Sequence, residues 1–254
     1  QRANRPYRHL WANVQGMRQT LRKLIVGRGQ RADHERRSTI GHRWENVRAI
    51  WNNTFEEDAG LEKLVRLVLA CSQFLFPGMY VKHAFWRMGP LYQDLAMELF
   101  VVLKTIFPLI VLRMGWQTDP WVLGLAIWLM LETVLYIPTL IFASDVFATP
   151  RSYRRTTLLL FLNYIEVVLS FAVIYASRPM LNKAFTDWSE AVYFSMVTSN
   201  TIGFGDLYPV TPLGRLLVVL QTLFYLSYIV LVINFFSFRL GRGYFRRDDR
   251  DATP

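Results

Sequence analysis

The hexapeptide Thr-Ile-Gly-Phe-Gly-Asp at residues 201–206 decides the fold of this chain. It lies between two long apolar segments, at about residues 157–177 and 213–238, and a short amphipathic run from Asp187 to Ser199 leads into it. Each apolar segment is long enough to cross a bilayer, whereas the run between them is much shorter. We therefore predict two membrane spans joined by a half-length helix and a glycine-containing loop.

The residue types in this loop suit the binding of a dehydrated cation. A ring of backbone carbonyls can replace the water around a potassium ion. To point successive carbonyls at one axis, the backbone must alternate between ordinary and left-handed conformations, and glycine adopts the left-handed ones without a Cβ penalty. Gly203 and Gly205, two residues apart, meet this requirement.

Residues 187–206, between their two spans, resemble the pore loop of the potassium-channel superfamily, whose usual filter reads Thr-Val-Gly-Tyr-Gly-Asp. The resemblance covers about the last third of the chain. It implies an all-α membrane protein with about four transmembrane helices, a reentrant pore helix and filter loop between the last two, and a tetrameric pore. It also implies that K+ is the permeant ligand, that no cofactor is needed and that Asp206 stands at the outer mouth. The ion-binding residues that it implies are Thr201, Ile202, Gly203, Phe204 and Gly205.

Three residues near the loop are predicted to support it. Tyr193 and Phe194 fall where the family commonly places an aromatic cuff behind the filter, and plain packing is the alternative. Asn200 stands where threonine is common, and its amide either forms hydrogen bonds behind the filter or loosens it. Phe204 replaces the usual tyrosine and lacks its hydroxyl, and together with Asn200 it gives the hypothesis of a filter that closes easily.

The helices of this pore module have a predicted start and a predicted gate. Asp187 is the expected N-cap of the pore helix, with Glu190 three residues later completing a capping pattern. The inner helix has no glycine near its middle, so a sharp glycine hinge is not predicted. Phenylalanines can close a pore by dewetting; facing lipid or neighbouring helices is the alternative. The candidate gate residues near the cytoplasmic end are Asn234, Phe235, Phe236 and Phe238.

Four segments are long and apolar enough to span the membrane. They are Leu95–Met114, Trp121–Ala143, Thr157–Ala176 and Leu213–Phe238. Pro108 and Pro138 are expected to kink the first two. Basic residues favour the cytoplasmic side, and they cluster in the N-terminal region, in the loop at 151–155 and in the C-terminal tail. Four spans place these three regions on one side and the filter loop on the other.

The chain therefore divides into five regions. Residues 1–60 are arginine-rich, contain interleaved tryptophans, and are predicted to lie in the cytoplasm against anionic lipid headgroups rather than nucleic acid. Residues 61–91 show apolar residues at helical spacing and are predicted to form an amphipathic helix in the inner interface; a soluble core helix and a true span are the alternatives. Two spans and a cytoplasmic loop occupy 92–156, the pore module occupies 157–240, and 241–254 form a cytoplasmic tail.

Two further predictions concern the N-terminal half of the chain. A helix is expected from Trp44 to Phe55, with a stop signal beginning at Asn52. The single cysteine, Cys71, excludes an intrachain disulfide and lies in an apolar run.

Ionisable residues within spans are costly and therefore informative. The candidate members of one intramembrane charge network are Glu98, Lys104, Glu132 and Glu166. Lys104 is expected to pair with Glu132 or Glu166 and to lock the first three spans together. A bolder hypothesis makes the glutamates a proton or ion sensor that gates the pore, and the plain alternative is a packing salt bridge or a group near water. No span has arginine at every third position, so a voltage sensor of that kind is not predicted.

The sequence thus predicts a potassium-selective channel in the cell membrane, with both termini cytoplasmic. It shows no phosphate-binding glycine loop, metal-ligand cluster or nucleophile motif, so an enzyme is not predicted. One pore loop supplies a quarter of a filter, and the resemblance therefore implies a homotetramer. The alternatives are a weakly selective cation channel, suggested by Asn200, and a membrane sensor or adaptor whose pore loop does not conduct.

Overall fold

The computed structural model describes residues 39–52, 60–142 and 153–240, with side chains in the last helix as far as Ile233. Apart from one antiparallel bridge between Leu181 and Pro209, the regular structure of these ranges is helical. The helices are α1 (Thr39–Trp51), α2 (Gly60–Ser72), α3 (Pro77–Ala84), α4 (Pro90–Met114), α5 (Pro120–Phe142), α6 (Tyr153–Ser177), α7 (Trp188–Ser199) and α8 (Pro212–Leu240). Short 3-10 turns occupy Gln73–Leu75, Trp86–Met88 and Trp116–Thr118.

Some predictions lie outside the described residues. They are the lipid contacts of residues 1–38, the basic side chain of Arg151 and the tail from residue 241 onward. The helix predicted from Trp44 to Phe55 is described in part: it begins earlier, at Thr39, and ends at Trp51 with a turn at Asn52. Its first turn has no apolar periodicity, so the sequence pattern gave no signal for the earlier start.

The four predicted spans are confirmed. The helices long and apolar enough to cross a membrane are Leu91–Met114, Pro120–Thr139, Arg154–Ser177 and Pro212–Ile233. The chain is therefore a multi-pass membrane protein. A bent pair of helices, Gly60–Leu75 and Pro77–Met88, meets the same test when its two parts are taken together, which would raise the number of spans in the described ranges to five.

Local sequence sets the ends of the first two spans. Pro90 occupies the first turn of α4, where its missing N–H costs nothing. The same helix ends at Gly115, which has a left-handed φ of 74° and donates its N–H to the Leu112 carbonyl. Asp119 caps α5 by accepting the Trp121 N–H at 2.8 Å. Both helices continue through their internal prolines.

The core of the described chain is built around α6. This helix packs against α4, α5 and α7, and it buries Val167, Val168, Ala172 and Val173 almost completely. Residues on both sides of the helix are buried, because neighbouring helices surround it. The outer helix of the predicted pore module is thus enclosed within a single chain.

Candidate functional site

The loop at residues 201–206 alternates in backbone conformation, as the glycine spacing predicted. Thr201, Gly203 and Gly205 have φ values of 55°, 57° and 81°, so every second residue is left-handed. Thr201 is the one non-glycine residue with positive φ in the described ranges, and this conformation costs about 1–2 kcal/mol for a residue with a Cβ. The alternation therefore begins one step before the glycines, at a residue whose conformation the sequence did not predict.

Hydrogen bonds to the preceding helix hold the start of this loop in place. The Thr201 N–H donates to the Thr198 carbonyl at 3.1 Å, and the Ile202 N–H donates to the Val197 carbonyl at 3.0 Å. These bonds offset the strain at Thr201 by tying it to the end of α7. The C-terminal end of α7, with its partial negative charge, therefore adjoins the loop.

The loop is open to its surroundings in the single chain. All six residues are exposed, and Phe204 is 68% exposed. A Cβ built on Gly203 or Gly205 would meet no atom of the described residues within 4 Å. The glycines are therefore required by the positive φ and not by crowding within the chain.

The N-cap predicted for the pore helix is confirmed at Asp187. Its carboxylate accepts the Ser189 N–H at 3.1 Å and also the Ser189 hydroxyl. Glu190 accepts the Thr186 N–H and the Thr186 hydroxyl, each at 2.8 Å, so it reaches one residue beyond the cap. Hydrogen bonds from Ser189 lower the pKa of Asp187, and those from Thr186 lower the pKa of Glu190.

The two predicted cuff residues point in different directions. The Tyr193 ring stacks on the Phe204 ring of the loop, with centroids 6.4 Å apart and planes 4° from parallel. Phe194 is buried, and its ring meets Tyr175 of α6 edge to face at 4.8 Å. Consecutive residues of a helix lie about 100° apart around its axis, so only one of the two can face the loop.

Asn200 is hydrogen-bonded behind the loop. Its Oδ1 accepts the Tyr164 hydroxyl of α6 at 3.0 Å, and its Nδ2 donates to the Met196 carbonyl at 3.0 Å. The Tyr164 ring in turn stacks on Tyr228 of α8, with centroids 4.8 Å apart. Asn200 thus bonds α6 directly and is linked to α8 through the Tyr164 ring. These contacts agree with the predicted hydrogen bonding behind the filter.

The sequence reasoning missed a buried polar network centred on Gln221 of α8. This amide is 1% exposed, and its Oε1 accepts the Tyr175 hydroxyl at 2.9 Å. Its Nε2 donates to the Ser195 carbonyl at 3.0 Å and to the Ser199 hydroxyl. Ser195 itself donates to the Val168 carbonyl at 2.6 Å. The available signal was one amide within the apolar stretch of a predicted span, where an unbonded polar group is costly.

A second missed residue, Asn182, holds the chain that leaves the loop. Its N–H donates to the Tyr208 carbonyl and its Oδ1 accepts the Tyr208 N–H, both at 3.0 Å. Its Nδ2 donates to the carbonyl of Asp206 at 3.2 Å. The backbone of Asp206, the predicted outer-mouth residue, is therefore held in place by Asn182, and the residue as a whole is exposed.

Three of the four predicted intramembrane charges lie together. Lys104 Nζ is 3.7 Å from Glu132 Oε2 and 3.8 Å from Glu166 Oε2, so the lysine pairs with both glutamates. It also donates to the Thr133 hydroxyl. This charge cluster (Lys104, Glu132, Glu166) joins α4, α5 and α6.

Glu98 does not belong to the charge cluster. It pairs with Arg155 at the start of α6, and Asp94 lies 3.3 Å from the same guanidinium. Glu98 precedes Lys104 by six residues, which places it about 9 Å along the helix and on a different face. The prediction of a single network of four residues is therefore wrong for Glu98.

The candidate gate residues lie in the last two turns of α8. The side chains of Asn234, Phe235, Phe236 and Phe238 lie outside the described part of the chain. Their role as a gate stays a prediction.

Comparison with known proteins agrees with this geometry. Residues 163–240 match the family model described as "Ion channel". A human protein named potassium voltage-gated channel subfamily A member 7 is 39% identical over 66 residues, which cover 26% of this chain and 14% of that protein. A mouse protein named potassium voltage-gated channel subfamily A member 6 is 36% identical over 66 residues, which cover 26% of this chain and 12% of that protein.

An archaeal protein also matches this part of the chain. The hyperpolarization-activated voltage-gated potassium channel of Methanocaldococcus jannaschii is 29% identical over 59 residues, covering 23% of this chain and 28% of that protein. The matched region therefore spans between about an eighth and somewhat over a quarter of the length of these three relatives. No solved structure matches the chain significantly.

Proposed function

Because residues 163–240 are an ion-channel pore module of the potassium-channel superfamily, we propose that this chain is the subunit of a potassium-selective channel. Four copies form a filter through which K+ crosses the cell membrane passively, with backbone carbonyls as its ligands. The filter residues are Thr201, Ile202, Gly203, Phe204 and Gly205, and Asp206 stands at the outer mouth. The protein works as a channel and not as an enzyme, and it needs no cofactor.

The observation that supports this function best is the alternating backbone of the loop. Left-handed residues recur at Thr201, Gly203 and Gly205, directly after a helix too short to cross a bilayer. Such alternation turns successive carbonyls toward one side, which is what replacement of the potassium hydration shell requires. The hydrogen-bonded state of Asn200 favours a selective filter over a weakly selective one, because a braced loop keeps its carbonyls at fixed spacing.

The open surfaces of the single chain support a homotetramer. The filter loop is exposed, and one face of α8 presents apolar side chains to its surroundings. These side chains are Leu216, Val219, Leu220, Leu223, Leu226, Val230 and Ile233. Identical subunits usually close by rotational symmetry, so copies of α8 and of the loop meet around one axis.

Basic residues give the proposed orientation. Arg154 and Arg155 lie in the first turn of α6, and Arg155 pairs with Asp94 and Glu98 in the first half of α4. These helix starts therefore lie on one side of the membrane, which the excess of arginine assigns to the cytoplasm. Both chain termini are then cytoplasmic, and the arginine-rich N-terminal region contacts anionic lipid rather than nucleic acid.

The proposal is tested by ion flux through purified protein in liposomes, with potassium and sodium gradients compared. Gly203→Ala disturbs a filter residue at φ 57°, and Gly115→Ala is the matched control at φ 74°. Neither new Cβ would meet an atom within 4 Å in the described part of the chain, and both positions have a left-handed φ, so the two variants carry a similar backbone strain. We expect the Gly203 variant to abolish potassium flux and the Gly115 variant to retain it.

Two results would contradict the proposal. Equal fluxes of potassium and sodium through the unaltered protein would contradict selectivity. Absence of flux from folded tetramer across voltage, pH and membrane tension would contradict a channel function and favour the sensor alternative.

A further inference from the structure

The segment from Gly60 to Met88 is a helix broken near its centre. Gly60–Leu75 and Pro77–Met88 are bent by 63° at this break, and together they are long and apolar enough for a span. Phe76, between the two parts, has an extended backbone, as expected for the residue before a proline. Pro77 then starts α3.

The break lies beside the middle of a membrane span. The Gly78 N–H donates to Glu132 Oε1 at 2.8 Å, and the Phe76 ring lies 6.5 Å from the Trp128 ring. Glu132 is near the centre of α5, a helix of 23 residues that crosses the membrane. The break is therefore at mid-membrane depth, well away from the headgroups.

The contact with Glu132 satisfies a need that exists only in an apolar setting. The first N–H groups of a helix have no partner within the helix, and the bilayer core supplies no water to bond them. A carboxylate at this position satisfies one donor and matches the positive end of the helix. A Cβ on Gly78 would collide with the Glu132 carboxylate, so this approach requires glycine.

The charge cluster ties the broken helix to the pore module. Glu132 bonds Gly78 through one oxygen and pairs with Lys104 through the other. Lys104 in turn pairs with Glu166 of α6, the outer helix of the pore module. Residues 60–88 are thus anchored from inside the membrane and not only by flanking loops.

An apolar stripe on the first half of the broken helix is exposed in the described part of the chain. Its members recur every three or four residues and are Leu61, Leu64, Val68, Cys71 and Leu75. The leucines and the valine are 57% to 75% exposed, and Cys71 is exposed as well. The charged Arg66 lies on the opposite, buried face, so the stripe presents no charge to its surroundings.

The far end of the segment has the composition of a membrane interface. Lys82, Trp86 and Arg87 follow the apolar break within one to three turns, and the Arg87 guanidinium lies 5.5 Å from the centre of the Trp86 ring. Tryptophan and basic residues concentrate at headgroup level. The second half of the segment therefore runs from the apolar interior to the interface.

We infer that residues 60–88 are inserted into the bilayer, without crossing it, as a broken helix whose break lies at mid-membrane depth. The stripe Leu61, Leu64, Val68, Cys71 and Leu75 contacts lipid acyl chains. This placement differs from the interfacial helix predicted from the sequence pattern, in which the whole segment lies at one shallow depth. It does not depend on whether the pore conducts.

The native cysteine offers a direct test because it is the single cysteine of the chain. The unaltered protein in phosphatidylcholine vesicles is labelled at Cys71 with bimane. Quenching is then compared between lipids brominated near the headgroup and lipids brominated deep in the chain. The same measurement on Leu64→Cys and Leu75→Cys, each in a Cys71→Ser background, samples the stripe along about 16 Å of helix. Lys183→Cys in that background is the aqueous control, because Lys183 is exposed in the loop before α7.

A depth gradient along the stripe is the expected result. Deep bromines should quench Leu75→Cys about twofold more than Leu64→Cys, with Cys71 between them, since the helix approaches the centre of a hydrocarbon layer about 30 Å thick. A charged methanethiosulfonate reagent should react with Lys183→Cys and leave Cys71 unmodified in intact vesicles.

Equal, shallow quenching at the three positions would place the segment along the interface and overturn the inference. Protection from the charged reagent without quenching by any brominated lipid would show that protein covers the stripe, and it would overturn the lipid contact. Because the Cys71 measurement needs no substitution, failure of a variant to fold leaves the test intact.

Discussion

The outer and inner helices of the pore module, α6 and α8, differ in the share of residues that is buried within one chain. In the spanning part of α6, 67% of the residues are buried within the chain, whereas in α8 the share is 17%. Both helices are apolar, and both cross the membrane. The difference therefore reflects where each helix finds its neighbours and not its composition.

The two helices accordingly show different kinds of contact. α6 is enclosed by helices of its own chain and holds Glu166 of the charge cluster. α8 packs against α5, α6 and α7, with contacts that include the buried amide Gln221 and the stacked Tyr228, while its apolar face and the filter loop remain open. We interpret α6 as a helix whose packing is complete within one chain. We interpret α8 and the loop as the part whose packing is completed by contacts among four chains.

The largest expected effect comes from disturbing α6 at its charge cluster. Lys104→Met leaves Glu132 and Glu166 as buried carboxylates without a counter-charge, which costs about 3–5 kcal/mol of folding free energy. We expect a large fall in the unfolding temperature of the detergent-purified protein. Lys183→Met, at an exposed lysine, is the control and should change little. An unchanged unfolding temperature for Lys104→Met would show that the cluster does not hold the first three spans together.

A matched pair of leucine substitutions sharpens the comparison directly. Leu160 on α6 is 5% exposed, and Leu223 on α8 is 55% exposed. Leu160→Ala should lower the folding free energy by about 2–5 kcal/mol because it leaves a cavity. Leu223→Ala should preserve the stability of the single chain and reduce the fraction of tetramer, measured by light scattering in detergent. The reverse pattern, with tetramer lost only in Leu160→Ala, would refute the division between the two helices.

The junction between the two helices should show an intermediate effect. Gln221→Leu leaves the Tyr175 hydroxyl and the Ser195 carbonyl without the amide, and an unsatisfied buried group costs about 1–3 kcal/mol. Thr222→Val is the neighbouring control, because the Thr222 hydroxyl bonds the Val218 carbonyl of its own helix. The unfolding temperature should fall more in Gln221→Leu than in Thr222→Val. Equal unfolding temperatures would show that the Gln221 network does not hold the two helices together.

The smallest effect is expected from acid at the start of the pore helix. The pKa values of Asp187 and Glu190 are lowered in the folded protein by hydrogen bonds to their charged forms. Their contribution to stability is therefore complete above the ordinary carboxyl pKa of about 4 and is lost as the pH falls through the lowered values. Potassium flux should decline when the outer solution is acidified below this range.

Asp187→Asn provides the check on this pH dependence. The amide oxygen keeps an acceptor for the Ser189 N–H but does not titrate, so the acid-dependent loss should shrink. An identical pH profile in the variant would mean that another group causes the loss.

Features set by a single residue type, or by charge in an apolar setting, were predictable from the sequence. Gly203 and Gly205 predicted a left-handed backbone at their positions, and Asp187 predicted the helix start. Lys104 was expected to pair because an unpaired charge within a span is too costly. The four spans followed from length and hydropathy.

Features that depend on specific contacts, and not on residue type alone, were not predictable. The strained φ of Thr201 follows from bonds to α7 and not from its residue type. The Tyr175 to Gln221 bond joins residues 46 positions apart, and the bonds of Asn182 reach 24 to 26 positions along the chain. The wrong grouping of Glu98 arose because a helical pattern fixes neither the depth nor the partner of a charge.

The most direct test of the shared filter is co-expression of unaltered subunits with Gly203→Ala subunits in known proportions, followed by potassium flux in liposomes. If four chains complete one filter and one altered chain inactivates it, equal amounts of the two subunits should leave about one-sixteenth of the flux. Peptide mass spectrometry of the purified assembly gives the actual proportion. A linear fall, to about half the flux at equal amounts, would mean that each chain conducts alone and would contradict the division between a helix completed within one chain and a filter completed by four.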